Sequence, residues 1–552
     1  MNKKFFKKHK SVLITVLVYL ILGLALYSSV LNSFFVSDDF DWLSRAKFTP
    51  HTFSDYFLKN CNGGTVGGVF RPLTQLSYLV DFSIAGLSPW FFHLTNILFF
   101  IGTALIIYWL IFLISQKHWL AFWSGLFFLV LPNHPEAVTW ISGRGDVLAA
   151  FFYILSLVGY VKFRQKNKWL WLAMAVFSFF LSTLSKEMGM SLPGVLLVYE
   201  ILFIGDSKKN GWRGVLKRIL YLVPFVAILA LYLFLRWNST HILAGFYASA
   251  DLKPSPAHLI RTLFLIIDSN FIDGYNRSLL ANFLMRWPVF LCLVGSGFLI
   301  VGLILKKYRQ EKIALLGLII LLIGALPVLP LSFILNTSEG ERFAYLPSMG
   351  LAIILGWLSY KIITWPKTKY LQFFPPLILM LFLSSSLIQK NWRWQEAGSL
   401  SHNLIFDFGQ KVDLQKKQGI VILTLPDNVY GAQVLRNGWF AALKLYYPTY
   451  IPNLLVARPR LLVTDTGRAV WLAKNDSFVA KGTEKIFYGA SQLESLDYIM
   501  QIGGYDKTIS SGDSLEIIFT PTFLKQMETN TIIYLAPLGD SFKVLNLKEG
   551  KK

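Results

Sequence analysis

Long apolar runs constrain the fold of this chain more than any other feature. Runs of about 20 apolar residues recur through the first 390 positions, and each could cross a hydrocarbon core of roughly 30 Å. Only 15% of the 552 residues are charged, whereas soluble domains carry about 25%. Backbone groups in lipid must be hydrogen-bonded within their own segment, so such runs cross as helices. The sequence therefore predicts a polytopic α-helical membrane protein.

Basic residues set the predicted orientation. The net charge is +22, and the lysines and arginines fall in short loops that alternate along the chain, so topology explains the charge and no nucleic-acid partner is predicted. Five lysines before the first run place the N-terminus in the cytoplasm of a protein of the plasma (cytoplasmic) membrane. Eleven spans are predicted at about 11–31, 89–114, 118–132, a run ending near 162, 169–184, 189–204, 219–236, 287–305, 313–334, 344–362 and 370–388. The shorter apolar piece 259–268 is predicted to be re-entrant or interfacial.

The composition changes after Lys390. Short β-type runs replace the long apolar ones, and they read GIVILTL, RLLVTD, AVWLAK, LEIIF and TIIYLA. We therefore predict a transmembrane domain over 1–389 and an α/β or β-rich domain over 390–552. An odd number of spans places that second domain outside the cytoplasm. Cys61 and Cys292 suggest neither a disulfide framework nor a metal site.

Apart from the basic cytoplasmic loops, nearly all clusters of charged residues lie on the predicted outer side of the membrane. Ionisable groups at membrane depth are costly, so they tend to pair or to line a functional cavity. Each cluster lies near the end of a predicted span. The clusters are Asp38 with Asp39, Arg71, His134 with Glu136, Arg144 with Asp146, Lys186 with Glu187, and Glu341 with Arg342.

The residue types in these clusters favour transfer from a lipid phosphate. Of Asp38 and Asp39, one would act as a general base, and the other would orient it or hold a divalent cation. Arginine and lysine suit a phosphate group, which arginine can bind with two parallel hydrogen bonds. An acceptor hydroxyl would attack a lipid-linked sugar, and lipid phosphate would leave. No Walker-type loop or strand-linked glycine-rich fingerprint is present, so no nucleotide donor is predicted.

Each cluster also has a structural interpretation. Asp38 and Asp39 could cap a helix at the membrane surface, and Arg71 before a proline could be an interfacial anchor. His134 could be a turn or packing histidine. Structural ion pairs within the bundle could account for Arg144 with Asp146, Lys186 with Glu187, and Glu341 with Arg342.

Five motifs in order resemble one family. They are SDDF, FRPLTQLSYLVDFSIAGLSPWFFHLTNILFF, HPEAVTWISGRGDVLAAFFYILSL, LSKEMGMSLPGVLLVYE and ERFAYLPSMG. Together they resemble the membrane half of the transmembrane-and-TPR O-mannosyltransferases and their bacterial relatives, which belong to the GT-C class of membrane glycosyltransferases. The resemblance covers about residues 30–360. This chain differs from the family at its tail, where the family has a TPR array. It also differs at Glu136, which follows Pro135 directly, whereas the family usually inserts several residues there.

The resemblance implies a fold, a donor and site residues. It implies a GT-C fold, a polyprenyl-phosphate-linked sugar donor and inverting transfer on the non-cytoplasmic face to a hydroxyl of a protein or cell-envelope acceptor. The family's adjacent acidic pair maps onto Asp38 and Asp39. The predicted donor-phosphate ligands are Arg71, Arg144, Lys186 and Arg342. The predicted supporting residues are His134, Glu136, Asp146, Glu187 and Glu341, of which the four acids would position those cations.

Two functions of other classes stay open from the sequence. A transporter or lipid flippase could use the same charges, although it would place them deep in the spans of two repeated halves. A non-catalytic assembly or sensor protein could use the tail to bind partners and the membrane part as an anchor. Binding of the lipid-linked donor would separate the enzyme from this last alternative.

Overall fold

A computed structural model describes most of the membrane part and shorter pieces of the tail. The described residues are 3–48, 55–58, 69–204, 218–242, 256–271, 312–331, 339–364, 371–413, 419–422, 425–448, 453–456, 460–463, 469–473, 477–482, 487–488, 505–510, 514–519, 532–538 and 540–545. The predicted eighth span at 287–305 and both cysteines lie outside them.

Helices make up the described part of the chain before residue 411. The α-helices are Lys3–Leu26, Asp39–Phe48, Asp55–Leu58, Pro72–Ala85, Pro89–Ser115, His118–Val130, Pro135–Val138, Arg144–Lys166, Trp169–Ser185, Leu192–Tyr199, Val223–Thr240, Pro256–Asp268, Lys312–Ala325, Tyr345–Ile363 and Phe374–Lys411. The short 3₁₀ and π turns are Ser28–Val30, Ile141–Gly143, Glu187–Ser191, Glu200–Ile204, Leu326–Val328, Glu341–Ala344 and Leu371–Phe373.

Proline and left-handed residues set several helix boundaries. Pro72, Pro89 and Pro135 occupy the first helical turn, where a missing N–H costs no intrahelical bond. Gln116 and Asn167 end their helices with φ of 55° and 51°, the left-handed conformation that closes many helix C-termini.

Six helical segments within the described residues are long and apolar enough to cross a membrane. They are Pro89–Ser115, Ile141–Lys166, Glu187–Ile204, Arg218–Thr240, Glu341–Ile363 and Leu371–Lys411. Four further helices are apolar but shorter, namely Lys10–Leu26, His118–Val130, Trp169–Ser185 and Lys312–Val328. The prediction of a helical, multi-pass membrane protein is confirmed. The count of eleven spans stays a prediction.

Small residues allow the membrane helices to pack closely. A Cβ atom added at Gly350 would overlap the carbonyl oxygen of Gly317 on the neighbouring helix, and one at Gly356 would overlap Ser124. Close approach through small residues is a usual way for membrane helices to associate, because lipid offers no hydrophobic drive between them.

The chain divides into two compact units. The membrane unit comprises Met1–Leu31 and Pro50–Asn391, and the tail unit comprises Asn32–Thr49 and Trp392–Lys552. The helix that contains the predicted eleventh span does not end near 388, but continues to Lys411. The fall in hydropathy after Lys390 therefore does not mark the end of a helix. A separate extracytoplasmic domain over 390–552 stays a prediction.

Twelve short strands and one helix, Trp439–Tyr446, follow in the described part of the tail unit. The strands are β1 Gly419–Ile422, β2 Leu425–Val429, β3 Ala432–Gln433, β4 Asn453–Val456, β5 Arg460–Val463, β6 Ala469–Ala473, β7 Ser477–Gly482, β8 Phe487–Tyr488, β9 Tyr505–Ser510, β10 Ser514–Phe519, β11 Ile532–Leu538 and β12 Ser541–Leu545. Strands lie at all five predicted β-type runs. The sheets have the orders β12-β11-β1-β4, β6-β7-β10-β9 and β3-β2-β5-β8. Only the first and third contain parallel pairs, β1 with β11 and β4, and β2 with β5.

Candidate functional site

Five ion pairs in the described part of the membrane unit involve residues of the predicted charged clusters. They join Arg71 to Glu187 (2.5 Å), Arg144 to Asp81 (2.6 Å), Lys186 to Asp146 (2.5 Å), Arg342 to Glu136 (2.9 Å) and Lys390 to Glu341 (2.7 Å). All ten side chains are mostly or wholly shielded from solvent. Since an isolated buried charge is costly, each pairing offsets part of the cost of burying its two side chains.

Arg144 is enclosed by hydrogen-bond acceptors. Its Nε donates to Oδ1 of Asn96 at 2.8 Å, and its two Nη atoms donate to the carbonyl oxygens of Ser77 and Phe92. The guanidinium also lies 4.6 Å from the centroid of the Tyr78 ring. Because all three nitrogens are engaged within the protein, this geometry favours a structural role for Arg144 over contact with a ligand.

Lys186 and Glu187 connect two of the pairs. They follow the helix Trp169–Ser185, and each points to a different partner. Lys186 Nζ donates to Oδ2 of Asp146, at the start of the helix Arg144–Lys166. Glu187 accepts from Nε and Nη2 of Arg71, at 3.0 and 2.5 Å. The Arg71 pair is therefore bidentate, which fixes the plane of its guanidinium.

Glu341 and Arg342 are neighbours that belong to two further pairs, those with Lys390 and Glu136. Glu136 accepts three hydrogen bonds from this turn, from the backbone N–H groups of Gly340 (3.1 Å) and Arg342 (2.8 Å) and from Nη1 of Arg342 (2.9 Å). Glu341 in turn accepts from Nζ of Lys390. Glu136 thus holds the turn 339–342 against the helix Pro135–Val138, and Glu341 links the turn to the helix Phe374–Lys411.

Exposure separates the cations into two groups. The side chains of Arg71 and Arg342 are 12% and 16% exposed, whereas those of Arg144, Lys186 and Lys390 are at most 4% exposed. A ligand phosphate can reach only a cation that keeps an accessible edge. Arg71 and Arg342 therefore fit that role better than the other two predicted phosphate ligands, Arg144 and Lys186.

His134 is packed within an aromatic cluster. Its ring centroid lies 4.6 Å from that of Phe128 and 4.8 Å from that of Tyr345, and Nε2 is 2.9 Å from Oγ of Ser348. Burial, together with the positive charge of Lys390, holds the pKa of His134 well below its usual value. The imidazole is therefore neutral, which agrees with a packing role.

The acidic pair lies in the tail unit, at the start of the helix Asp39–Phe48. Asp39 is buried, and its Oδ2 accepts from the backbone N–H of Val36 at 3.0 Å, so this carboxylate caps the turn. Asp38 is partly exposed, and its Oδ1 accepts from Nδ2 of Asn437 at 2.8 Å. The two adjacent acids therefore differ in both solvent access and hydrogen-bond partner.

A short loop of the tail surrounds this turn. Ser37 donates its N–H to the carbonyl of Val434 at 2.7 Å and its hydroxyl to Oε1 of Gln433 at 2.9 Å. Ser37 has a φ of 47°, an uncommon conformation for a serine. Gly438 has a φ of 78°, and a Cβ there would overlap the carbonyl oxygen of Ser37. Only glycine fits at that position.

The sequence did not reveal several of these partners. Asp81 is a single acid in an apolar helix, and Lys390 is a single base where the predicted eleventh span ends. An isolated charge in an apolar segment often has a partner, and this was the feature that could have identified both residues. Asn437 carried no signal at all. The sequence suggested structural pairs of Arg144 with Asp146, Lys186 with Glu187, and Glu341 with Arg342. These partners were wrong, because the two side chains of each pair point in different directions and bind other residues.

No metal site is apparent in the described ranges. They contain no group of three or more histidine, cysteine, aspartate or glutamate side chains that could hold an ion. Asp38 and Asp39 thus do not form part of such a cluster there.

Three human proteins are similar in sequence to this chain. Protein O-mannosyl-transferase TMTC2 is 30% identical over 256 residues, which is 44% of this chain and 30% of the relative. TMTC3 is 23% identical over 372 residues (60% and 40%), and TMTC4 is 26% identical over 369 residues (54% and 48%). The chain spans less than half the length of these curated relatives. No protein-family profile matches it. The resemblance to these O-mannosyltransferases is confirmed.

Two solved structures are also similar at low identity. ArnT from Cupriavidus metallidurans bound to undecaprenyl phosphate gives a TM-score of 0.47 at 11% identity, over 93% of this chain and 99% of that one. The oligosaccharyltransferase AglB from Archaeoglobus fulgidus, in complex with an inhibitory peptide and a dolichol-phosphate, gives 0.43 at 13% identity, over 76% and 62%.

Proposed function

We propose that the chain is a membrane glycosyltransferase of the GT-C type. It would transfer a sugar from a polyprenyl-phosphate-linked donor to a hydroxyl of a protein or cell-envelope acceptor on the non-cytoplasmic side. The observation that carries the proposal is the sequence similarity to three proteins named as O-mannosyl-transferases. Those names also make mannose the first sugar to test and a protein the first acceptor.

Asp38 is assigned as the general base, and Asp39 as the residue that shapes the turn. In the proposed step the acceptor hydroxyl oxygen bonds to the anomeric carbon of the sugar. The bond between that carbon and the phosphate oxygen breaks, and lipid phosphate leaves with the electron pair. The hydroxyl proton moves to the Asp38 carboxylate. A single displacement of this kind inverts the anomeric configuration. Solvent access and a single neutral donor support Asp38 over the buried Asp39.

Arg71 and Arg342 are assigned as donor-phosphate ligands. Both side chains keep some solvent access, and each is oriented by an ion pair to a buried carboxylate. A planar guanidinium that is already oriented loses little entropy when it binds phosphate. Lys186 and Arg144 are assigned to the support of this arrangement, together with Glu136, Asp146, Glu187 and Glu341. His134 is assigned to packing.

The base assignment is tested with Asp38→Asn in membranes that contain the full chain. Release of label from tritiated polyprenyl-phosphate mannose is measured with membrane protein as acceptor. We expect kcat to fall by at least about 100-fold, the usual contribution of a general base. Asp540→Asn is the matched control, because Asp540 also accepts a hydrogen bond from an asparagine, Asn403, but on an exposed surface.

Full transfer by Asp38→Asn would refute the role of Asp38. If the unaltered chain binds the labelled lipid but never transfers the sugar, the chain is instead a binding or transport protein. Full activity in both Asp38→Asn and Asp39→Asn would overturn the whole mechanism.

A further inference from the structure

We infer that Asn437 is a positioning residue for the Asp38 carboxylate, and that the tail unit therefore contributes directly to the proposed sugar transfer. The inference rests on the proposed function. Its basis is the hydrogen bond of 2.8 Å from Nδ2 of Asn437 to Oδ1 of Asp38, two residues that are 399 positions apart in the sequence.

The loop that carries Asn437 is held from both sides. Before it, Arg436 donates from Nε and Nη2 to the two carboxylate oxygens of Asp427, at 2.8 and 2.6 Å. After it, Gly438 adopts a positive φ and begins the helix Trp439–Tyr446. Asp427 is itself fixed by Nδ2 of Asn428 at 2.7 Å. Asn437 therefore lies between two fixed points, and its amide has little freedom to turn away.

The turn that carries Asp38 is held by the same loop. Ser37 has two hydrogen bonds to it, through its N–H to Val434 and through its hydroxyl to Gln433. Gly438 lies against the carbonyl of Ser37 so closely that no side chain fits. The Asn437 contact is thus the fourth point at which the two segments meet, and the only one of the four that touches the Asp38 carboxylate.

An amide at this position suits a carboxylate that has to take a proton. A lysine or arginine would neutralise the carboxylate, and an acid would repel it. The asparagine amide donates to one oxygen and so orients the carboxylate plane without adding charge. Within the described part of the chain, Oδ1 of Asp38 is the carboxylate oxygen that accepts this hydrogen bond, which leaves Oδ2 for the acceptor hydroxyl.

The test compares Asn437→Ala and Asn437→Asp with Asn403→Ala in the assay with tritiated polyprenyl-phosphate mannose. Asn403→Ala is the matched control, since Asn403 donates to an exposed aspartate of the same unit at 3.3 Å. We expect kcat to fall about 10- to 100-fold in both Asn437 variants, with the KM for the labelled lipid unchanged, because orientation and not binding is lost. Asn437→Asp keeps the side-chain shape and removes the donor, so it should be at least as impaired as Asn437→Ala. Asn403→Ala should match the unaltered chain.

The outcomes separate the inference from the proposed function. If Asp38→Asn abolishes transfer while both Asn437 variants keep full kcat, the positioning role is wrong and the proposed function stands. If Asp38→Asn transfers normally, the proposed function fails first. A loss confined to Asn437→Ala, with Asn437→Asp fully active, would also overturn the inference, because aspartate cannot donate this hydrogen bond. Equal thermal unfolding midpoints in detergent would show that the variants are folded.

Discussion

The charged clusters of the membrane unit and the turn with Asp38 and Asp39 in the tail unit hold their carboxylates in different ways. In the membrane unit the acidic side chains of the charged clusters each face a cation, as Glu187 faces Arg71 and Asp146 faces Lys186. In the tail unit the carboxylate of Asp38 faces a neutral amide. A carboxylate opposite a cation is suited to holding position, because protonating it would strand a buried positive charge. A carboxylate opposite an amide can accept a proton at lower cost.

We therefore expect the acids of this chain to have two different roles. The paired acids set where the arginines and lysines lie, and the amide-bound acid is available for proton transfer. The same residue type therefore has two roles that its immediate partner decides. Four experiments can break or sharpen this division, and they follow from the largest expected effect to the smallest.

Removal of Arg144 should have the largest effect. Arg144→Ala leaves Asp81 as an unpaired buried acid and leaves the acceptors Asn96 and Phe92 without their donor. We expect a loss of about 3–5 kcal/mol of stability, typical of a broken buried pair. The measurement is the thermal unfolding midpoint in detergent. A variant that unfolds like the unaltered chain but no longer binds labelled polyprenyl-phosphate mannose would instead make Arg144 a ligand.

An exchange of charges at Arg71 and Glu187 tests whether that pair is only structural. The single variants Arg71→Glu and Glu187→Arg should both be destabilised, because each places like charges together. The double variant should recover most of the stability, yet transfer should stay about 100-fold lower, as when one preorganised donor is lost. The rate of transfer from the labelled lipid and the unfolding midpoint are measured together. Recovery of both would show that Arg71 has no role beyond its ion pair.

His134 predicts a pH dependence of stability with a definite sign. Its pKa in the folded protein lies well below the usual 6.5, so the unfolded chain binds the proton more readily. The stability from this residue is therefore present above about pH 6.5 and is lost as the pH falls, by at most about 1.4 kcal/mol per pH unit. His134→Gln should flatten the decline of the unfolding midpoint between pH 6.5 and 5. An unchanged slope would contradict the neutral assignment.

Arg393 should show the smallest effect, because its side chain is only partly buried. Its guanidinium lies 5.0 Å from the centroid of the Tyr430 ring. A cation–π contact that is not fully desolvated contributes about 0.5–1 kcal/mol. Arg393→Ala should shift the unfolding midpoint slightly and leave transfer unchanged. A loss of stability comparable to that of Arg144→Ala would contradict the expectation that a buried, ion-paired cation contributes more to stability than a partly buried one.

The sequence predicted the elements better than it predicted the partners. Apolar runs located the helices because hydropathy is a local property, and the β-type runs located the strands for the same reason. Local reasoning paired Arg144 with Asp146, whereas the fold pairs Arg144 with Asp81. It also could not place Asn437 beside Asp38, since that contact depends on the tertiary path of 399 intervening positions. Contacts of this kind follow from topology, which hydropathy does not encode.

The discontinuity of the tail unit has a consequence for biosynthesis. Residues 32–49 are grouped with residues that begin at 392, so the first piece leaves the ribosome about 340 residues before the second begins. At typical synthesis rates the early piece waits roughly 20–70 s for its partners. During that interval Ser37 and Asp38 lack Gln433, Val434 and Asn437. A chaperone could therefore bind the nascent acidic turn during this interval, which ends only when residues 433–437 have emerged.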